Sequence, residues 1–430
     1  MVFLKTRVVT IAVTLMLFAL SHTCSAAEEG FVSLFDGKTL EGWAVRSGKA
    51  TYAVVDGTIV GKTATEGPNT FLCSKREFAN FELRLDVKCD AELNSGIQIR
   101  SHAYLEETPQ ASKPKRIRPA GTVYGYQVEI AANGNAGRIW DEARWTKWHD
   151  PEPTEDAKAA YKPDSWNEYR IVADGERIRT WINGVPVAEM QDKLDAAGFI
   201  GLQVHAIKKG TGPFSVAWRN IRIRETSVRP GINKSFIDPN VAKFTERWEK
   251  EGREIYDLRE AVLKACGIKE GEAIADIGAG TGLYTRLFAA STGKTGRVYA
   301  VDISEKFLAH VEETSRKEGL TNVRSVLCTQ TDSKLEPNSI DLAFTCAAYH
   351  HFEFPHQTLR SIHRALRPGG RLIVIDFERI EGKTDKWILN HVRAGREIVS
   401  KEIVASGFEP AGEEKMMKDH YFLRFKKRPE

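Results

Sequence analysis

Two periodicities divide the chain. From Phe31 to Glu225 apolar and polar residues alternate in short runs, as at Phe81-Glu-Leu-Arg-Leu-Asp-Val87, Tyr169-Arg-Ile-Val-Ala173 and Ile178-Arg-Thr-Trp-Ile182. Period two sends successive side chains to opposite faces of an extended strand. Asp56-Gly57, Asp174-Gly175 and Asn183-Gly184 separate these runs, and such pairs accept the positive φ of tight hairpin turns. Many strands without a long helical pattern predict an all-β sandwich or jelly roll. Beyond residue 243 the pattern changes. Apolar runs at residues 273–277, 298–301, 323–327, 341–344 and 371–376 alternate with helical stretches, the order of a doubly wound α/β (Rossmann-like) fold with a parallel sheet. Pro230-Gly231 and Asp238-Pro239 lie between the two patterns. The expected organisation is therefore multidomain, with one domain at 28–226, a linker at 227–242 and a second domain at 243–430.

Residues 1–27 follow neither pattern. Lys5 and Arg7 precede an apolar stretch at residues 8–20, and Ser25-Ala26-Ala27 stands before Glu28. This is the layout of a secretory signal peptide cleaved near Ala26 or Ala27. The apolar stretch falls short of the ~20 residues a spanning helix needs, so the expectation is a periplasmic or extracellular protein with no stable membrane span after cleavage. Charge adds little: 62 Lys and Arg against 58 Asp and Glu make no electrostatic footprint for nucleic acid. Of the cysteines left after cleavage, none forms a CxxC pair or a metal-ligand spacing. Only a Cys73–Cys89 disulfide is worth considering, and Cys266, Cys328 and Cys346 read as small buried hydrophobes.

Chemistry enters at Ile274-Ala-Asp-Ile-Gly-Ala-Gly-Thr-Gly282, followed by Val301-Asp302 at the end of the next apolar run. Gly278, Gly280 and Gly282 form a turn whose backbone can approach a ligand at a helix N-terminus, and Asp302 can accept two ribose hydroxyls. Dinucleotide folds usually enter the first glycine on apolar residues, whereas here Asp276 stands two before it. The pattern resembles the first motif of class I S-adenosylmethionine-dependent methyltransferases. Ser339-Ile-Asp-Leu-Ala-Phe344 and Arg367-Pro-Gly-Gly-Arg-Leu-Ile-Val-Ile375 look like that family's fourth strand and the turn into its fifth. The resemblance implies S-adenosyl-L-methionine as cofactor, with Asp332 near the adenine, and methyl transfer to a small-molecule acceptor. Tyr349-His350-His351-Phe352 follows the fourth strand, where either histidine can act as a base or Tyr349 and one histidine can simply shape the pocket. Asp376, Arg379, His391 and Arg393 follow the fifth strand and suit an acidic or hydroxylated acceptor.

In the first half, three runs share one design: Ile97-Gln98-Ile99-Arg100, Gln127-Val128-Glu129-Ile130 and Leu202-Gln203-Val204-His205. If they are strands of one sheet, Gln98, Arg100, Gln127, Glu129, Gln203 and His205 line one polar face suited to sugar hydroxyls. Asp141, Glu142, Arg144 and Trp148, from a nearby segment rich in carboxylates, cations and indoles, can cover a pyranose. Phe35-Asp-Gly-Lys-Thr-Leu-Glu-Gly-Trp43, Asn94-Ser-Gly-Ile97, Trp166-Asn-Glu-Tyr-Arg170, Trp181-Ile-Asn-Gly184 and Gly198-Phe-Ile-Gly-Leu-Gln-Val-His205 resemble the 3-keto-disaccharide hydrolase family, with a concanavalin-like jelly roll. The resemblance implies cleavage of glycosides oxidised at C3, with Glu129 and His205 moving protons and Arg100 polarising an oxygen; Glu129 with His205 could instead hold a divalent metal. The alternative is a jelly roll that binds carbohydrate without cleaving it, leaving the methyltransferase as the only catalyst. An exported protein using a cytosolic cofactor is an internal tension of this reading.

Overall fold

The computed structural model describes residues 30–429, and the signal-peptide reading of residues 1–27 lies outside them. Among the described residues no helix is long and apolar enough to cross a membrane. The first domain is a sandwich. One sheet of eight strands is ordered Val185–Gln191, Arg177–Ile182, Asn167–Asp174, Phe81–Cys89, Ser215–Glu225, Thr58–Lys62, Thr51–Val55, with Val32–Ser33 added on Ser215–Glu225. The other has six, Ile139–Glu142, Val123–Ile130, Ser95–Ala103, Gly198–Val204, Thr70–Phe78, Trp43–Ser47. Leu83, Leu85, Ile171 and Trp218 from the first meet Ile97, Ile99, Val128 and Leu202 from the second in one core. Each strand thus spends alternate residues on that core, which leaves the other face of the six-stranded sheet free for chemistry.

The Cys73–Cys89 pair does not form, and both thiols are free. The two cysteines belong to different sheets, with Cys89 inside the sandwich core and Cys73 packed with Phe71, Val123 and Phe199 in a separate cluster.

The second domain is a seven-stranded sheet, ordered Val323–Leu327, Arg297–Asp302, Ala273–Ile277, Ile340–Cys346, Leu366–Phe377, His420–Lys427, Phe408–Glu414. The first five strands are parallel, as the apolar runs predict. His420–Lys427 runs antiparallel to Leu366–Phe377 and closes the edge in a hairpin with Phe408–Glu414. Strand order reverses beside Ala273–Ile277, so a crevice opens between its carboxyl end and that of Ile340–Cys346, the position where such sheets bind ligands. Residues 227–242 are more than a spacer. They contain the helix Lys234–Ile237 and are pinned to the second domain by the buried Glu353, whose carboxylate accepts from Ser227 Oγ (3.0 Å) and the Gly231 amide (3.1 Å).

Candidate functional site

Each domain carries a cavity lined by residues singled out in the sequence. On the open face of the six-stranded sheet a cavity of about 450 Å³ is lined by Gln127, Glu129, Glu142, Trp148, Gln203 and His205. Gln127 is its hub: its Oε1 accepts from Gln98 Nε2 (2.9 Å) and Gln203 Nε2 (2.7 Å), and its Nε2 donates to Glu129 Oε2 (2.9 Å). This side chain has room because residue 96, opposite Glu129 in the ladder, is glycine; a Cβ there would sit 2.4 Å from Gln127 Cδ. The other Glu129 oxygen accepts from Asn94 Nδ2. Burial nevertheless dominates and pushes the Glu129 carboxyl up to about 7, against the two amide donors that favour its charged form. Burial raises Glu142 as well, opposed first by His205. His205 Nδ1 faces the Ala206 carbonyl at 2.7 Å. A carbonyl can only accept, so the neutral ring carries its proton on Nδ1 and a lone pair on Nε2.

Four residues expected on this face or covering it lie elsewhere. Gln98 is fully buried behind Gln127 and contributes through it. Arg100 is on the wrong side because the strand bulges: Gly201 pairs with Gln98 and Phe199 with Ser101, leaving two residues opposite one, and Arg100 takes φ +45°. Its buried guanidinium donates to the carbonyls of Ala79 (2.6 Å), Gly175 (2.6 Å) and Asp195 (3.3 Å) and to Asn80 Oδ1 (3.2 Å). It therefore polarises no substrate oxygen. Arg100→Ala should destabilise the fold by about 3–5 kcal/mol, because it orphans buried carbonyls, and leave turnover per folded molecule unchanged; chemical denaturation beside an active-site titration checks both. Asp141 is consumed by Arg144 Nη2 (2.8 Å), the Trp145 amide (2.8 Å) and His149 Nε2 (3.1 Å), and Arg144 also meets Asp195 at 2.8 Å. That network braces the segment and leaves Trp148, edge-on to Trp140 at 5.0 Å, as its contribution to the wall. Asn69, Asn94, Arg116, Arg118 and Trp140 also line the cavity. Asn94 stood inside a motif already noted and Trp140 belongs to the segment rich in carboxylates, cations and indoles, whereas the rest come from loops and a short hairpin with no distinguishing pattern. The alternative of a divalent metal on Glu129 and His205 is not shown: among the described residues the one group of three or more ligating side chains is His350, His351 and His391.

In the second domain a cavity of about 170 Å³ is lined by Asp276, Gly278, Gly280, Asp302 and, across the crevice, Ala347, Ala348 and His351. Gly278, Gly280 and Gly282 all have positive φ. A Cβ on Gly278 would also lie 2.6 Å from Ala348 Cβ, closing the crevice. Asp302 Oδ2 accepts the Gly280 amide and Oδ1 the Ser304 amide, each at 2.9 Å. The carboxylate thus ties the turn to the second strand and keeps lone pairs for a diol. Asp276 is buried, accepts from Thr285 Oγ1 at 2.7 Å, and is pushed up to about 7 mainly by burial. Asp332 is absent from this wall, since its carboxylate turns outward to Arg364 at 3.2 Å. Thr329, Gln330 and Ser333 take its place, and Ser333 Oγ is buried without a hydrogen-bond partner.

The roof comes from a segment that composition did not mark. Phe236, Phe244 and Trp248 pack in series, with Phe236 edge-on to His351 (4.7 Å) and Trp248 stacked on Phe307 (5.7 Å). The signal was available: residues 244 and 248 share one face of the helix Val241–Trp248.

Tyr349 is fully buried with its hydroxyl on Glu402 (2.8 Å), and Arg393 forks onto that same carboxylate (2.8 and 2.7 Å). Arg379 is spent on the Val392 and Leu389 carbonyls. None of the three is free for an acceptor. His350, His351 and His391 instead border a larger neighbouring cleft of about 1540 Å³. His350 Nδ1 is held by Asp376 Oδ1 at 2.8 Å, while burial and the neighbouring histidines push His351 down to about 3.

Residues 30–224 match the family described as 3-keto-alpha-glucoside-1,2-lyase-like domain, and residues 275–374 match the methyltransferase domain family. The ubiquinone/menaquinone biosynthesis C-methyltransferase of Hydrogenovibrio crunogenus is 30% identical over 119 residues, covering 27% of this chain and 47% of that protein. The enzyme of the same name from Klebsiella pneumoniae is 32% identical over 118 residues, with the same coverage. The chain thus spans about half the length of these curated relatives. A solved S-adenosylmethionine-dependent methyltransferase from Aquifex aeolicus aligns at 24% identity with a TM-score of 0.40, covering 44% of this chain and 99% of that one.

Proposed function

From a chain that joins a 3-keto-alpha-glucoside-1,2-lyase-like domain to a methyltransferase domain, we propose a bifunctional enzyme that cleaves 3-keto-glycosides and methylates a small-molecule acceptor. The observation that carries the first activity is the pairing, in one cavity, of a carboxyl that burial pushes up to about 7 with an imidazole held at Nδ1 by the Ala206 carbonyl. A ketone at C3 acidifies the C2 proton. His205 Nε2 takes that proton, the C1–O bond breaks as the C1–C2 double bond forms, and Glu129 in its protonated form delivers a proton to the departing oxygen. Gln127, Gln203 and Asn94 hold the hydroxyls, and Trp140 and Trp148 cover the ring. Addition of water to the enone completes a net hydrolysis. Incubating the full chain with a 3-keto-glucoside and following release of the leaving alcohol tests this reading; no release above a His205→Ala control would sink it.

The second cavity suits S-adenosylmethionine. Asp302 retains acceptor capacity for ribose hydroxyls, Gly278 admits a ligand that any side chain would displace, and Ser333 Oγ and Gln330 offer polar contacts at the far end. When bound, this cofactor supplies an electrophilic methyl group on a sulfonium. The protein's own contribution is alignment and exclusion of water: the glycine turn positions, Asp276 stands where an amino group would be held, and Phe236 and Trp248 roof the cavity. His351 borders both this cavity and the larger cleft, which supports reading that cleft as the acceptor side. Export of the mature chain belongs to the same proposal, and fractionation with sequencing of the mature N-terminus tests it.

A further inference from the structure

We propose that His350, His351 and His391 form a divalent transition-metal site on the floor of the large cleft, with open coordination positions that take an anionic oxygen-bearing ligand. The three side chains come from two elements, the turn Tyr349–His351 after the fourth parallel strand and the last residue of the helix Lys386–His391. Their ring centroids form a near-equilateral triangle of 4.2, 5.1 and 5.2 Å, and a ligating atom of each lies within 4.8 Å of the other two. Zinc–nitrogen bonds of ~2.0–2.1 Å in tetrahedral geometry need nitrogens roughly 3.4 Å apart, so the rings draw closer together when the ion binds.

Two further observations point to a cation. The His350 ring is oriented by a carboxylate behind it: Asp376 Oδ1 accepts from Nδ1 at 2.8 Å, with both side chains buried, so in the neutral ring Nε2 is the lone-pair nitrogen. That carboxylate–histidine pair is the outer-shell device of metal centres. His351 Nδ1 is buried and has no hydrogen-bond partner, a donor set without an assigned ligand. Three imidazoles and no thiolate favour zinc or another first-row ion over calcium or magnesium, and a three-ligand set leaves at least one position for an external ligand. The cleft around it carries Arg229, Arg247, Lys250, Arg253, Lys383 and Lys418 against four acidic residues, so the external ligand is anionic. Because His351 also walls the cofactor cavity, a group bound to the metal is presented toward the methyl donor; this last step rests on the methyltransferase reading, whereas the metal site does not.

The test uses the full mature chain prepared without a polyhistidine tag. Equilibrium dialysis against zinc, and titration with cobalt(II) followed by its visible ligand-field bands, should give one tightly bound ion per chain. His391→Ala should weaken that binding by about 100-fold or more, and Asp376→Asn by about 10–100-fold. Circular dichroism and thermal unfolding of the same samples verify that each variant is folded, and calorimetric titration with S-adenosylmethionine follows the cofactor site independently. Substoichiometric metal on wild-type protein, or binding that His391→Ala leaves intact, would overturn the site. Metal bound without any affinity for S-adenosylmethionine supports the site and removes the cofactor reading instead.

Discussion

Asp302→Ala should lower the affinity for S-adenosylmethionine by about 100-fold or more, since two hydrogen bonds to a charged acceptor are together worth roughly 3 kcal/mol or above. The effect has two sources that calorimetry can separate. In the proposed site the carboxylate accepts the ribose hydroxyls, and it also ties the Gly280 and Ser304 amides at 2.9 Å each. Asp302→Asn keeps the shape but must turn an amide N–H toward one of those N–H groups or toward the diol, so it should recover little. Gly278→Ala provides an independent check, because its added Cβ meets Ala348 at 2.6 Å without touching Asp302. Unchanged cofactor affinity in Asp302→Ala would remove the assignment of this cavity.

Glu129→Gln should reduce release of the leaving alcohol from a 3-keto-glucoside by about 10²–10⁴-fold, the usual contribution of a positioned proton donor. The wild-type rate should fall as pH rises through about 7, and that inflection should vanish in the variant. Stability gives a second readout with a definite sign. The folded pKa lies above the ordinary 4.5, so between 4.5 and 7 the folded state binds more protons than the unfolded one. The associated stabilisation is complete below about pH 4.5 and is lost as pH rises through 7. From pH 5 to pH 8 the wild type should therefore lose up to about 3 kcal/mol relative to Glu129→Gln, measured by denaturant unfolding at each pH. A pH-independent difference would show that the carboxyl stays ionised and cannot be the acid.

How much was legible in sequence follows the range of the interactions involved. The five parallel strands, the glycine turn and Asp302 are local: a strand, a tight turn and a carboxylate at the next strand's end are set by neighbours in the chain, and they stand where the apolar runs place them. The alternation in residues 31–225 likewise reports which faces are buried. Gln127, Glu129, Gln203 and His205 reach one cavity because their strands keep register. Arg100 does not, since one extra residue in a ladder turns every inference about its face over.

Other roles were assigned by partners distant in sequence. Asp141 and Arg144 satisfy each other and Asp195, Tyr349 and Arg393 converge on Glu402, and Asp332 turns to Arg364. No spacing rule shows which of several charged residues will be neutralised by another. The aromatic roof and the meeting of His391 with His350 and His351 arise the same way, from segments of unrelated pattern brought together by packing. By itself, then, the sequence determined the two domain types, their strands and the residues competent for chemistry, because those depend on periodicity and local turns. Tertiary structure decided which competent residues keep a free lone pair or proton, because that depends on what else, across the fold, has already claimed them.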